Sequence, residues 1–193
     1  MADVFSTPKD RLYLPFLSGF YEKFAQPFGW LVFRLVVGGI TIQNGWGLVQ
    51  APMANVPFFD SLGIQPAWLI SPLVAYVTFI GGILVLFGFI TRPAALANAV
   101  VMLTTYWYHA TYPFGPTFLT PEGIAYLTAN PDLLTASGQM NLLPDGGAFF
   151  LDSGAGINLK AERASIFWAG AMALFAAFGG GYFSVDRLRK REF

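Results

Sequence analysis

The sequence predicts an all-α integral membrane protein, a four-transmembrane-helix bundle with an ordered periplasmic loop region between helices three and four. Three observations lead there. Hydrophobic residues make up 55% of the chain and charged residues only 11%, with mean hydropathy +0.54. A soluble domain carries about 25% charge, so this chain has too little to cover a water-facing surface. Two apolar runs meet at Thr91-Arg92-Pro93, and Arg92 is the only Asp, Glu, Lys or Arg between Asp60 and Glu122. Each run is about as long as a helix that crosses a hydrocarbon core of roughly 30 Å. A turn this short joins them as an antiparallel hairpin.

Other classes fall away on composition. Net charge is zero and the pI is about 6.6, so nothing points to nucleic acid. The chain has no cysteine, which excludes disulfides, thiolate nucleophiles, iron–sulfur ligation and cysteine zinc sites. His109 is the single histidine, so one chain cannot build a bis-histidine haem, and no metal site is expected. No covalent cofactor is expected either; redox chemistry would come from a bound organic cofactor or a partner.

The elements follow in order. Residues 1–27 are read as a cytoplasmic N-terminal segment with no removable signal. Within it Leu17, Phe20, Tyr21 and Phe24 recur at helical spacing, while Ser18, Glu22 and Lys23 fall elsewhere on the wheel. That pattern suits a short helix in the headgroup layer, or equally a tail packed on the bundle. The first span is expected at about 28–50. At 100° per residue, Arg34, Gly38, Thr41 and Gly45 share a face, with Asn44 flanking it and Gln43 pointing away. Small residues on one stripe let helices approach closely in lipid. Residues 51–66 make a short loop.

The second span is expected at about 67–90. There Gly81 and Gly88 repeat the seven-residue spacing of Gly38 and Gly45, with Thr78 near the same face. The matched glycines predict that spans one and two pack together. The third span, about 93–110, opens on Pro93, which the first turn tolerates. It carries Asn98, Met102, Thr105 and His109 on one stripe, and Tyr106, Trp107 and Tyr108 cluster at its far end. Such rings favour the membrane interface.

Residues 111–161 hold five prolines and no window of about 20 apolar residues. Thr120-Pro121-Glu122 is a helix start, so GIAYLTAN and PDLLTAS are each expected to be a short helix. Tyr112, Phe114, Phe118, Tyr126, Phe149 and Phe150 argue for an ordered cap. The fourth span is expected at about 164–183, capped at its start by Glu162 and Arg163, with a small-residue stripe of Ala169, Ala173, Ala176 and Gly180. A basic tail, 188–193, closes a membrane domain of 28–187. Four spans put Lys9, Arg11, Lys23, Arg92, Arg187, Arg189, Lys190 and Arg191 on one side, against Lys160 and Arg163 on the other. The positive-inside rule then makes both termini cytoplasmic and 111–161 periplasmic, in a bacterial inner membrane.

The hairpin GGILVLFGFITRPAALANAVVM resembles the DoxX/DoxD family of small four-helix membrane proteins. The likeness extends to FRLVVGGITIQNGWGLV, to Phe58–Ile64, to Glu162 before the fourth span and to the ending GGGYFSVDR, so it covers roughly 29–110 and 160–187. The resemblance implies a membrane bundle. It also implies a link to redox complexes, since some members are subunits of thiosulfate:quinone oxidoreductases. Two departures stand out. The family commonly has a His-Gly pair late in the first span, where this chain has Asn44-Gly45. It commonly has an acid before the glycine pair of the second span, where this chain has Thr78. Both are proton-handling groups, so their replacement argues against catalysis.

Arg34 is the sharpest candidate residue, because an intramembrane charge is costly and is usually paired or snorkelled to phosphates. The absence of an acid at position 78 weighs against an in-chain carboxylate partner and leaves snorkelling, structural pairing, bundle hydrogen bonds, a partner subunit or a ligand as the expected contacts of Arg34. Asn44, Thr78, Asn98, Thr105 and His109 could line a polar track, and Tyr76, Tyr106 and Tyr108 could face a quinone headgroup. The quinone-contact set is therefore Arg34, Asn44, Tyr76, Thr78, Thr105, Tyr108 and His109. The weightier alternative is that Asn, Thr and His simply bond between helices, at about 0.6 kcal/mol each. The sequence thus points to an accessory subunit of a membrane electron-transfer complex, with bound lipids and other subunits as partners. A catalytic thiosulfate:quinone-type subunit is the alternative, and a small transporter or channel the third.

Overall fold

The computed structural model describes residues 10, 12–111, 121–142 and 148–190. Lys9, Arg11, Tyr112, Phe114, Phe118, Thr120 and Arg191, all used in the reading above, lie outside them, as do the side chains of Phe149 and Phe150. The described residues are helical. They comprise α1 (Gln26–Gln50), α2 (Val56–Ser61), α3 (Ala67–Phe87), α4 (Thr91–Thr111), α5 (Pro121–Ala129), α6 (Ala136–Leu142), α7 (Ala148–Phe178) and α8 (Val185–Leu188). The chain forms two compact units. One joins Met1–Val101 to Trp168–Phe193, and the other is Met102–Phe167.

In the first unit α1 does not start abruptly. Helical turns run into it from Pro15, through a π segment at Tyr21–Ala25. The expected short headgroup helix is therefore continuous with the first span. By length and hydropathy, two helices among the described residues can cross a membrane: Pro15–Gln50, 36 residues, and Ala67–Phe87, 21 residues. At 1.5 Å per residue the second is about 32 Å long, close to one hydrocarbon thickness.

Four helices supply the core of this unit. Val37 comes from α1, Val85 from α3, Ala94, Ala95 and Ala99 from α4, and Ala171, Met172 and Phe175 from α7. Trp30 and Phe33 close over Phe175, with ring centroids 4.9 and 5.2 Å away. Buried polar side chains sit among them, including Thr41, Ser71, Thr78 and Asn98. The large apolar side chains lie largely outside, for example Leu35, Val36, Leu69, Leu73, Ile80, Leu96, Val100 and Leu174. Small and polar inside with bulky aliphatics outside suits helices that pack by close approach in lipid.

The α1–α3 crossing is antiparallel and built on glycine. A Cβ on Gly38 would stand 2.8 Å from Leu86 Cα, and one on Gly45 would stand 2.6 Å from Phe79 Cα. From the other helix, a Cβ on Gly82 would stand 2.8 Å from the Ile42 nitrogen. Gly82, rather than the expected Gly81, completes the seam. Gly81 faces α4, where its Cβ would run into Asn98 Nδ2. Gly88 is outside the seam too; it ends α3 in a left-handed conformation, φ 67°. At the far end of α3, Ser71 Oγ donates to Pro52 O at 2.5 Å, tying the 51–66 connection to the bundle.

Two further expectations change on α7. The helix starts at Ala148, so Glu162 and Arg163 lie well inside it and cap nothing. Ala173 is exposed, while Ala169, Met172 and Phe175 are buried, so the packing face does not follow the 169–173–176 stripe.

In the second unit α5 is followed by a 3-10 turn at Pro131–Leu133 and then by α6. The first expected loop helix matches α5 closely. The second, at PDLLTAS, is instead the 3-10 turn, with α6 beginning at its last residues. Ile124 and Leu142 are buried there, and Gln139 Nε2 donates to Pro131 O at 2.9 Å.

Candidate functional site: a polar clasp at the hairpin end

The most concentrated polar chemistry of the first unit lies where α3 turns into α4. Gly88 gives α3 its left-handed end, and Ile90 follows with φ 48°. A β-branched residue is strained in that region, at a cost of order 1–3 kcal/mol. Something must hold it there, and Asp186 does. Its Oδ1 accepts from Ile90 N at 2.8 Å, and its Oδ2 accepts from Thr91 N at 2.9 Å and Thr91 Oγ1 at 2.8 Å. The carboxylate thereby satisfies N–H groups at the N-terminus of α4, where the helix dipole also favours a negative charge. Asp186 N in turn donates to Gly88 O at 2.9 Å.

The segment that delivers Asp186 is shaped for this. Gly179 and Gly181 take φ 75° and 77°, turning the chain away from the end of α7. Gly180 packs so closely that a Cβ would stand 2.6 Å from Ser184 Cβ and 2.8 Å from Thr91 Oγ1. Ser184 caps α8: its Oγ accepts from Arg187 N at 3.2 Å and donates to Gly181 O at 2.7 Å.

Arg34 completes the clasp from α1. Its side chain is 2% exposed. Nη1 donates to Gly180 O, and Nη2 donates to Phe183 O at 2.6 Å. Trp30, one turn earlier, donates from Nε1 to Gly179 O at 3.1 Å. Arg34 and the carboxylate of Asp186 thus belong to one clasp, with Arg34 bonded to carbonyls of the 180–183 turn and Asp186 to the start of α4. Arg34 is inward and paired rather than snorkelled. Asp186 is the residue that sequence reasoning missed. Its signal was an isolated acid within SVDRLRK, five residues after a glycine-rich stop.

The other expected site residues fall in both units and are described within each. Thr78 is buried, but its Oγ1 donates back to Val74 O at 2.8 Å. Asn98 is fully buried and donates to Val77 O at 3.2 Å and Ala94 O at 3.0 Å. Asn44 is exposed on α1, and Tyr76 is 48% exposed on α3. Tyr76 borders an apolar groove of about 250 Å³ between α3 and α4, floored by Val77, Gly81 and Ala94. Thr105, Tyr108 and His109 belong to the second unit, half-buried, with the Tyr108 and His109 rings 5.2 Å apart edge to face. Within the first unit, Asn44, Tyr76 and Thr78 do not converge on one headgroup-sized polar site. Among the described residues no three His, Cys, Asp or Glu cluster to hold a metal ion.

Comparison with known proteins agrees with this architecture. The DoxX family profile matches residues 29–110, which hold most of α1, all of α2 and α3, most of α4 and the clasp's Arg34 and Thr91. The inner membrane protein YqjF of Escherichia coli (strain K12) is 30% identical over 126 residues, covering 64% of this chain and 89% of the relative. No solved structure matches. The chain belongs to the DoxX family of membrane proteins.

Proposed function

We propose that this chain is a four-span bundle of the bacterial inner membrane that serves as an accessory, scaffolding subunit of a membrane electron-transfer complex. The observation that carries the reading is where the interior polar groups are spent. Arg34, Thr41, Thr78 and Asn98 all donate to backbone carbonyls of the bundle, and Asp186 accepts from it. Groups committed this way support a rigid framework rather than a reaction. The faces left outward on α3 and α4 are aliphatic and aromatic, open to lipid and to neighbouring helices. The inner-membrane relative and the redox associations implied by the family resemblance supply the setting.

Quinone enters this reading through Tyr76. The groove beside it would take an isoprenoid tail, and Tyr76 would be the nearest hydroxyl to a headgroup. No catalytic step is assigned to the chain. Purification from native membranes in mild detergent tests the proposal. A larger redox assembly should accompany the protein, and a lone monomer would contradict the scaffold role. The competing catalytic reading predicts that Asn44→Ala or His109→Ala lowers thiosulfate-dependent quinone reduction, whereas the scaffold reading predicts no change.

A further inference from the structure

The residues just beyond the clasp carry a second surface, one that the scaffold role does not require. Phe183 is 61% exposed and Leu188 82% exposed, and exposed Arg187, Arg189 and Lys190 stand beside them. The two guanidinium groups are positioned. Arg187 Cζ lies 3.7 Å from the centroid of the Tyr182 ring, and Arg189 Cζ lies 5.0 Å from that of Phe89. Stacking on a ring fixes a guanidinium at lower entropic cost while leaving its edge N–H groups open to two oxygens of a phosphate. Arg92 adds a cation at the same end, against Gly179. The sole acid between residues 164 and 191 is Asp186, and its carboxylate is occupied by Ile90 and Thr91.

We propose that Phe183–Lys190, with Tyr182 and Phe89, is a headgroup clasp for anionic phospholipid. Apolar side chains beside ring-stacked cations form the pattern that enters the headgroup layer, with Phe183 and Leu188 toward the acyl chains and the guanidinium groups at phosphate level. Two features select the bilayer as occupant. The exposed aliphatic faces of α3 and α7 run up to this level, at Phe87 (59% exposed) and Phe178 (38%), so the cations stand where hydrocarbon gives way to headgroups. Net positive charge with its one acid internally committed complements anionic lipid. The proposal rests on the membrane reading and is independent of any redox partner.

Purified full-length protein in nanodiscs of phosphatidylcholine alone, or with one quarter phosphatidylglycerol, tests it. The wild type should melt at a higher temperature in the phosphatidylglycerol discs and retain that lipid through detergent washing. Each surface cation contributes on the order of fivefold in affinity for an anionic membrane. Arg187→Gln with Arg189→Gln should therefore lower phosphatidylglycerol retention by roughly tenfold or more, with melting in pure phosphatidylcholine little changed. Lys190→Gln, at an exposed side chain, should give a smaller loss in the same direction and guards against a folding artefact in the double variant. Equal retention by wild type and both variants, or no preference of the wild type for the anionic discs, would overturn the proposal.

Discussion

Arg34 and Asp186 show how a buried charge is made tolerable at the scale of single residues. Arg34 does not rely on one counter-ion; its two terminal nitrogens donate to two carbonyls that a glycine-rich turn has freed from helical bonding. Lysine keeps the charge but cannot span two acceptors in fixed geometry. Arg34→Lys should therefore cost about 1–3 kcal/mol, read as earlier thermal unfolding in detergent. Asp186→Asn removes the charge from bonds to Ile90 N and Thr91 N, at an expected cost of about 1–3 kcal/mol. If Asp186→Asn melts like the wild type, the clasp is not what holds this end together. Arg34 was legible as a singular intramembrane charge. Its partners were not, because they lie 146 and 149 residues away and both are carbonyls, which no side-chain pattern announces.

At the scale of elements, close approach of α1 to α3 is the structural requirement that the glycines serve. Their spacing made the pairing readable, but two of four positions were misassigned. Gly81 turns to α4 and Gly88 belongs to the turn, because sequence spacing alone cannot say which of two neighbouring helices a small residue faces. The contacts now separate the roles. Gly45→Ala must push against Phe79 backbone and should destabilise by about 1–3 kcal/mol, whereas Gly39→Ala, with nothing within 4 Å of its Cβ, should be neutral or mildly stabilising. Thermal unfolding of the two variants in one detergent checks the difference. On α7, Phe175→Ala would open a cavity beneath Trp30 and Phe33 and should cost about 3–5 kcal/mol, while Ala173→Leu, on an exposed face, should be tolerated. The early start of α7 was not readable. Residues 148–161 hold glycines and an acid, so no apolar period marks them as helix.

The whole molecule reverses the usual arrangement of a soluble protein. Its first unit buries glycine, alanine, threonine and asparagine, and it presents leucine, valine, isoleucine and aromatic rings outward. Composition made that legible at once, since so few charges cannot solvate 193 residues. Topology across the bilayer is the larger claim. In the first unit, the antiparallel α1–α3 crossing and the Asp186 clasp bring the front of α1, the α3–α4 turn and the end of α7 to one end. Because the chain has no cysteine, single cysteines report on sidedness without background. Labelling of Lys190→Cys and Gln139→Cys in intact cells with a membrane-impermeant maleimide tests the four-crossing account most directly. The account predicts that position 139 labels in intact cells and position 190 only after the membrane is permeabilised; labelling of both from the same side would contradict it.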